Sequence, residues 1–188
     1  MIQFDKNTIG RQAKELGFVR DTFEKVCRLA ESVAPMEIFA SKIVALLNRT
    51  APRDLYDIHN LLEFGLFDER EQNMLRKCVI FYSCISSETV HKEFTFEAIN
   101  KMPQNKIKTD LLPVLRFGAY FDLNPARKKV TDYLKNLLVL TPQETKFIEN
   151  FSKGEYTPEL ILEGNLLNNV SIHPMAVWKC KKAKEALS

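Results

Sequence analysis

Ala40-Ser41-Lys42-Ile43-Val44-Ala45-Leu46-Leu47-Asn48-Arg49, then Thr50-Ala51-Pro52, then Arg53-Asp54-Leu55-Tyr56-Asp57-Ile58-His59-Asn60-Leu61-Leu62, is the stretch that decides the fold. Placed on a helix at about 100° per residue, Lys42 and Arg49 are seven positions apart and lie almost on one line. Ile38, Ala45 and Leu46 flank that line, while Glu37, Ser41 and Asn48 occupy the polar side. The second run shows the same oddity with the opposite sign. Leu55, Ile58, Leu61 and Leu62 form an apolar face, Asp54 falls inside its arc, and Asp57 lies at its rim. The spacing predicts two short-looped helices packed antiparallel, face to face. Lys42 or Arg49 can then approach Asp54 or Asp57 in a half-buried setting. Unpaired burial of such charges costs several kcal/mol, so pairing is expected. Two readings follow and are compatible: an ion pair locking the hairpin, or a phosphate-handling site with Lys42 as an ammonium point charge and Asp54 or Asp57 orienting it.

The rest of the chain reads as helix around this hairpin. Thr8 to Leu16, a helix capped by Asp21, and one from Pro35 to about Asn48 come first. Thr50 is the expected cap of the next helix, with Pro52 in its first turn and a stop at Gly65. Further helices are predicted from Asp68 to about Ser86, Phe94 to Ile99, Lys106 to Phe117 and Pro125 to Leu138. Thr141-Pro142-Gln143-Glu144 has the form of a cap, a first-turn proline and a capping acid, opening a helix to Phe151. Pro158 to Leu162 and Met175 to Lys184 complete the set. His173-Pro174 fixes a turn before that last helix, with Trp178 packed on the core. Short extended pieces fit only near Tyr120-Phe121 and Val170 to Ile172. The fold class is therefore all-α, a single helical domain over 1–188 with N-terminal helices in 1–34, the charged hairpin in 36–66 and a C-terminal helical region in 67–188.

Bulk properties narrow the function classes. The chain has 188 residues, 45% hydrophobic, and a formal net charge of +3. That suits one domain with a proper core, and the mild charge gives no argument for nucleic acid. Lys179, Lys181, Lys182 and Lys184 make the last stretch basic; a solvated terminal helix is the plain reading, an RNA contact the sharper one. Cys27, Cys78, Cys84 and Cys180 show no zinc spacing, and His59, His91 and His173 are scattered. Reduced, buried thiols at Cys78 and Cys84 fit a cytoplasmic protein. Asp5 and Lys6 interrupt the N-terminus before a leader-like apolar stretch forms, and the longest apolar run, Val79 to Ile85, is far below membrane-spanning length. No nucleophile motif such as Gly-x-Ser-x-Gly occurs.

The run Ala40-x-Lys42-Ile43-x-Ala45-Leu46, then Arg49, then Arg53-Asp54-Leu55-Tyr56-Asp57, resembles the later motifs of the AbiEii/AbiGii toxins. These are nucleotidyltransferase-fold proteins of bacterial abortive-infection and toxin–antitoxin systems, which act in phage defence. Lys14-Glu15-Leu16-Gly17-Phe18 with Phe23-Glu24-Lys25-Val26 is similar to the family's N-terminal helices. Leu115-Arg116, Phe121-Asp122, Phe151 with Gly154-Glu155-Tyr156 and Pro158-Glu159-Leu160, and His173-Pro174-Met175-Ala176 with Trp178-Lys179 are similar to its C-terminal region. The resemblance implies that Lys42 corresponds to a phosphate-contacting lysine and Asp54, with Asp57, to the late acidic motif. Arg49, Arg53 and Tyr56 would be substrate-binding residues of the same site.

The chain departs from the family pattern at one place. Members carry a Gly-Gly/Ser loop leading to an Asp-x-Asp pair on a small mixed sheet, which holds Mg²⁺ and, through it, a nucleoside triphosphate. Here no Gly is followed by Gly, Ser or Thr, and no Asp-x-Asp occurs. The resemblance breaks off near Ala30-Glu31 and resumes near Met36-Glu37, so the missing sheet would fit at Ser32 to Pro35. The expectation is the helical portion of a nucleotidyltransferase-like toxin with its catalytic β-sheet missing and no metal site of its own. Such a chain is inactive alone and serves as an interaction module; Mg²⁺ and nucleotide would enter only if another chain completed the site in trans. An RNA-binding helical module is the remaining alternative. Expected partners are a cognate antitoxin and a second copy, met through faces uncovered around Ile38 to Leu62.

Overall fold

The computed structural model of the protein describes residues 35–65, 67–87, 93–115 and 121–187. The chain divides into two compact units, 1–38 and 39–188. Of the first, the described residues are the opening turn of one helix. The predicted helices of 8–16 and 21–30, and the similarities at 14–18 and 23–26, lie outside the described residues. All that follows concerns the second unit and that helix.

Every regular element among the described residues is helical, and no strand occurs there. In chain order they are α1 (Pro35–Arg49), α2 (Pro52–Glu63), α3 (Glu69–Ser86), α4 (Glu97–Asn100) and α5 (Gln104–Lys106). A π turn (Ile107–Leu111) and a 3-10 turn (Leu112–Val114) follow directly. Then come α6 (Leu123–Leu137), α7 (Pro142–Ser152), a 3-10 turn (Pro158–Leu160), α8 (Gly164–Val170) and α9 (Pro174–Leu187).

Local chemistry explains most boundaries. Thr141 accepts from the Glu144 backbone N–H while the Glu144 carboxylate accepts from the Thr141 N–H, so the expected capping box opens α7. Asp68 and Glu71 form the same reciprocal pair before α3. Asp122 caps α6, accepting from the Asn124 N–H at 3.1 Å. Thr50 does not cap α2. It stands at φ 49° and donates its N–H to Leu46 O, closing the end of α1, while Ala51 sits at the α2 N-cap with no side-chain bond. A two-residue link must reverse the chain at once, and the left-handed residue is how it does so.

The expected helix from Lys106 instead breaks into the π turn and the 3-10 turn, because Pro113 cannot donate to a regular ladder. Val170 ends α8 and Ser171-Ile172 is a turn, not an extended piece. Phe121 is an irregular residue ahead of α6, and Tyr120 is outside the described residues. Trp178 is not in the core: it faces outward on α9, 52% exposed, while Ala176 and Cys180 point inward.

One core cluster joins Ile80, Phe81, Cys84 and Ile85 of α3 to Phe147, Ile148 and Phe151 of α7, with Ile161, Leu162, Ala176 and Cys180 closing it. Burying each large apolar side chain of this kind contributes about 1.5–3 kcal/mol. Around it α3 contacts α6, α7 and α9. The most extensive backbone approach of α2 is to α6 and to the π turn.

Candidate functional site

The charged hairpin forms as two discrete pairs. Lys42 Nζ donates to Asp57 Oδ2 at 2.6 Å. Arg49 donates from Nε to Asp54 Oδ2 and from Nη2 to Asp54 Oδ1, both at 2.6 Å. The pairing order runs backwards along α2, as it must when the chain turns back at Thr50-Ala51. The sequence left open which cation meets which acid; the structure decides it by register.

The two pairs sit in different media. Asp54 lies on the buried face of α2 beside Leu55 and Ile58 and is 1% exposed, whereas its Arg49 partner is 65% exposed. The carboxylate is thus held inside and its counter-ion lies across the opening. The Asp54 hydrogen bonds, and then its negative charge, raise the Arg49 pKa above the ordinary arginine value. A fork-on-fork contact of this kind also fixes the guanidinium plane. Lys42 and Asp57 are half-exposed at 40% and 36%, a setting in which an ammonium is readily exchanged between partners.

Arg53 and Tyr56 turn away from these pairs. Arg53 Nε donates to the Asp110 main-chain carbonyl at 2.8 Å, tying α2 to the π turn. Tyr56 packs edge-on against Phe121, ring centroids 5.3 Å apart, and His59 meets the same ring at 5.7 Å. Of the six residues singled out from the sequence, four therefore meet as two pairs and two face other elements. That Arg53 meets Asp110 and Tyr56 meets Phe121 escaped the sequence reading. The Arg53 acceptor is a backbone oxygen, which no residue type signals, and a π turn has no periodic signature.

Among the described residues no group of three His, Cys, Asp or Glu gathers as a metal site would require. The donor set also fails a direct test against the Mg²⁺ that the nucleotidyltransferase reaction uses. Both Asp54 oxygens accept from Arg49, and Asp57 accepts from Lys42. A divalent cation needs carboxylate oxygens free to face it, and of these four only Asp57 Oδ1 accepts no hydrogen bond among the described residues. No helix among the described residues is long and apolar enough to cross a membrane.

The family model described as nucleotidyl transferase AbiEii toxin, type IV TA system, matches residues 31–147. That span takes in the charged hairpin and stops inside α7, so the similarities noted before residue 31 and after residue 147 stand outside it. No curated protein and no solved structure matches the chain.

Proposed function

The chain belongs to the AbiEii family of nucleotidyltransferase toxins of type IV toxin–antitoxin systems, and from that membership we propose that it no longer transfers nucleotides by itself and acts as an interaction module. The observation that carries this reading is the mutual neutralisation of the late-motif charges. Lys42 is bound to Asp57 and Arg49 to Asp54, while the sequence lacks the Gly-Gly/Ser loop and the Asp-x-Asp pair. Nucleotidyl transfer needs charge stabilisation on the phosphate undergoing attack. One lysine, already paired, cannot supply what two metal-bound carboxylates would. Lys42, Asp54 and Asp57, with Arg49, are then a residual family site that locks the hairpin, while Arg53 and Tyr56 serve contacts to Asp110 and Phe121. The partner of such a module is a protein, a cognate antitoxin or a second copy of the chain.

Incubation of the purified chain with RNA or protein acceptors, labelled nucleoside triphosphates and Mg²⁺ tests the reading. No incorporation above background is expected, and Lys42→Ala should change nothing. Incorporation that disappears in Lys42→Ala would overturn it. Light scattering after size exclusion reports the second copy: a monomer at all concentrations removes the homodimer from the proposal.

The half-exposure of the Lys42–Asp57 pair favours a second reading, a site completed in trans. The Lys42 ammonium can leave Asp57 for a phosphate without breaking a buried bond. Mixing the chain with a complete family member whose own late-motif lysine is replaced should then restore transfer; no restoration removes this reading.

A further inference from the structure

Helix α9 is seated by one side only. Ala176 and Cys180 are buried, and Lys179 Nζ donates to Ser87 O at the end of α3. At about 100° per residue, Trp178 lies about 200° from both Ala176 and Cys180, at the pole of the outward face. It is the single tryptophan of the chain, and it is exposed together with Ile172, Met175 and Val177. Lone exposed apolar residues are ordinary, but these four gather within residues 172–178 and make a patch. The next turns of the same face are charged. Lys181, Lys182 and Glu185 fall within about 60° of Trp178, and α9 carries Lys179, Lys181, Lys182 and Lys184 against Glu185 alone. We propose that this face docks a protein segment that is apolar in one half and acidic in the other, with Trp178 and Met175 as its anchors and Lys181 and Lys182 meeting its carboxylates.

The charge pattern selects the occupant. A second copy has too few acids to offer: packed parallel it sets lysines against lysines, and packed antiparallel about Trp178 it sets them against Met175. A bilayer surface needs an apolar sector running the length of the helix. Here the apolar and charged residues share one sector and divide along the axis instead. A nucleic-acid backbone would satisfy the lysines but leave Ile172, Met175 and Val177 facing phosphate and water. An acidic, half-apolar protein segment answers both halves at once.

The residues suit the task. A large aromatic ring at the centre of a patch is the commonest kind of interface anchor, and methionine adapts to the shape it meets. Because α9 is already fixed by Ala176, Cys180 and Lys179, docking on its outer side orders little more than side chains. The Lys182–Glu185 pair, 3.0 Å long, is exposed on both sides, so Lys182 can exchange Glu185 for a partner's carboxylate at little cost. Lys181 is exposed beside it. The face lies outside residues 31–147, so family membership does not imply it. It rests on the interaction-module reading for having a protein partner at all.

The single tryptophan is also the reporter. In the full chain its emission should be that of a water-exposed indole, quenched by acrylamide and independent of protein concentration. A synthetic helical peptide with leucines and phenylalanines in one half and glutamates in the other should shift that emission to shorter wavelength, saturably, and shield it from acrylamide. The same peptide with lysines in place of the glutamates should not. Lys181→Glu combined with Lys182→Glu, both at exposed positions, should weaken peptide binding about tenfold or more. Trp178→Ala should weaken it as much in calorimetry, with the helical circular dichroism of both variants unchanged. Emission already shielded in the free chain, no shift with the acidic peptide, or a shift indifferent to the lysine variant overturns the proposal. A shift that grows with protein concentration alone does so too, since it makes the occupant a second copy. So does one produced by anionic phosphatidylglycerol vesicles or by single-stranded RNA in preference to the peptide. No nucleotide is present in this titration, so its failure leaves the inactivity reading standing. Nucleotide incorporation, in turn, would overturn that reading with the peptide result unchanged.

Discussion

Asp54 and Asp57 are three positions apart on one helix, yet one is buried beside Leu55 and Ile58 and the other is half-exposed. The consequence is unequal stability. Removing the cation from a buried carboxylate leaves an uncompensated charge, at a cost of about 3–5 kcal/mol in a closed site. Water reaches the exposed side of Arg49, so Arg49→Met should cost less, about 2–3 kcal/mol. Lys42→Met removes a half-exposed pair and should cost about 1 kcal/mol or less. Urea denaturation of the two variants checks the order, and a Lys42→Met variant less stable than Arg49→Met would refute the assignment of roles. The sequence carried half of this. Asp54 falls inside the arc of Leu55, Ile58 and Leu61, which marks a buried acid by helical spacing alone. Its choice of Arg49 over Lys42 depends on where the turn at Thr50 sets the register, which spacing does not encode.

The elements show which helix ends are written locally. The α7 capping box at Thr141 and Glu144 was legible because both partners lie within four residues. Its reinforcement was not: Arg76 of α3, 68 positions away, donates from Nε to both Glu144 oxygens, at 2.9 and 3.1 Å. The docking of α9 is likewise non-local. Gly154 turns at φ 82° after α7, and a Cβ there would stand 2.5 Å from Cys180 O and 3.0 Å from Lys184 N. Lys179 Nζ also donates to Ser87 O at the end of α3. Gly154→Ala should therefore push α9 off its seat and cost more than about 2 kcal/mol. Gly65, at φ 59°, meets nothing within 4 Å. Gly65→Ala should cost only the backbone strain, about 1–2 kcal/mol. Melting temperatures of the two variants test this contrast; equal losses would mean that the close approach at Gly154 is not what seats α9.

At the scale of the 39–188 unit, the central cluster gathers ionisable groups that burial keeps protonated. The Cys84 thiol is pushed up to about 12 and Cys180 to about 11, in each case mainly by burial, from an ordinary 9.0. Burial likewise lifts the Tyr156 phenol to about 12 from 10.0. Above about pH 9 the unfolded chain loses these protons while the folded one keeps them, so stability falls as pH rises from about 9 towards 12. The urea midpoint should be lower at about pH 10.5 than at about pH 8, and alkylation of Cys84 near neutral pH should be slow; an unchanged midpoint would contradict the burial of these groups. Sequence alone determined the helical class, the charged hairpin and the absence of a Gly-Gly/Ser loop and an Asp-x-Asp pair, because helical periodicity, capping and motif spacing are local properties of the chain. Only tertiary structure decided that Lys42 pairs with Asp57 and Arg49 with Asp54, that Arg53 and Tyr56 serve Asp110 and Phe121, and that Trp178 faces solvent. Those outcomes depend on which distant segments share a face, and a face is created only when the helices pack.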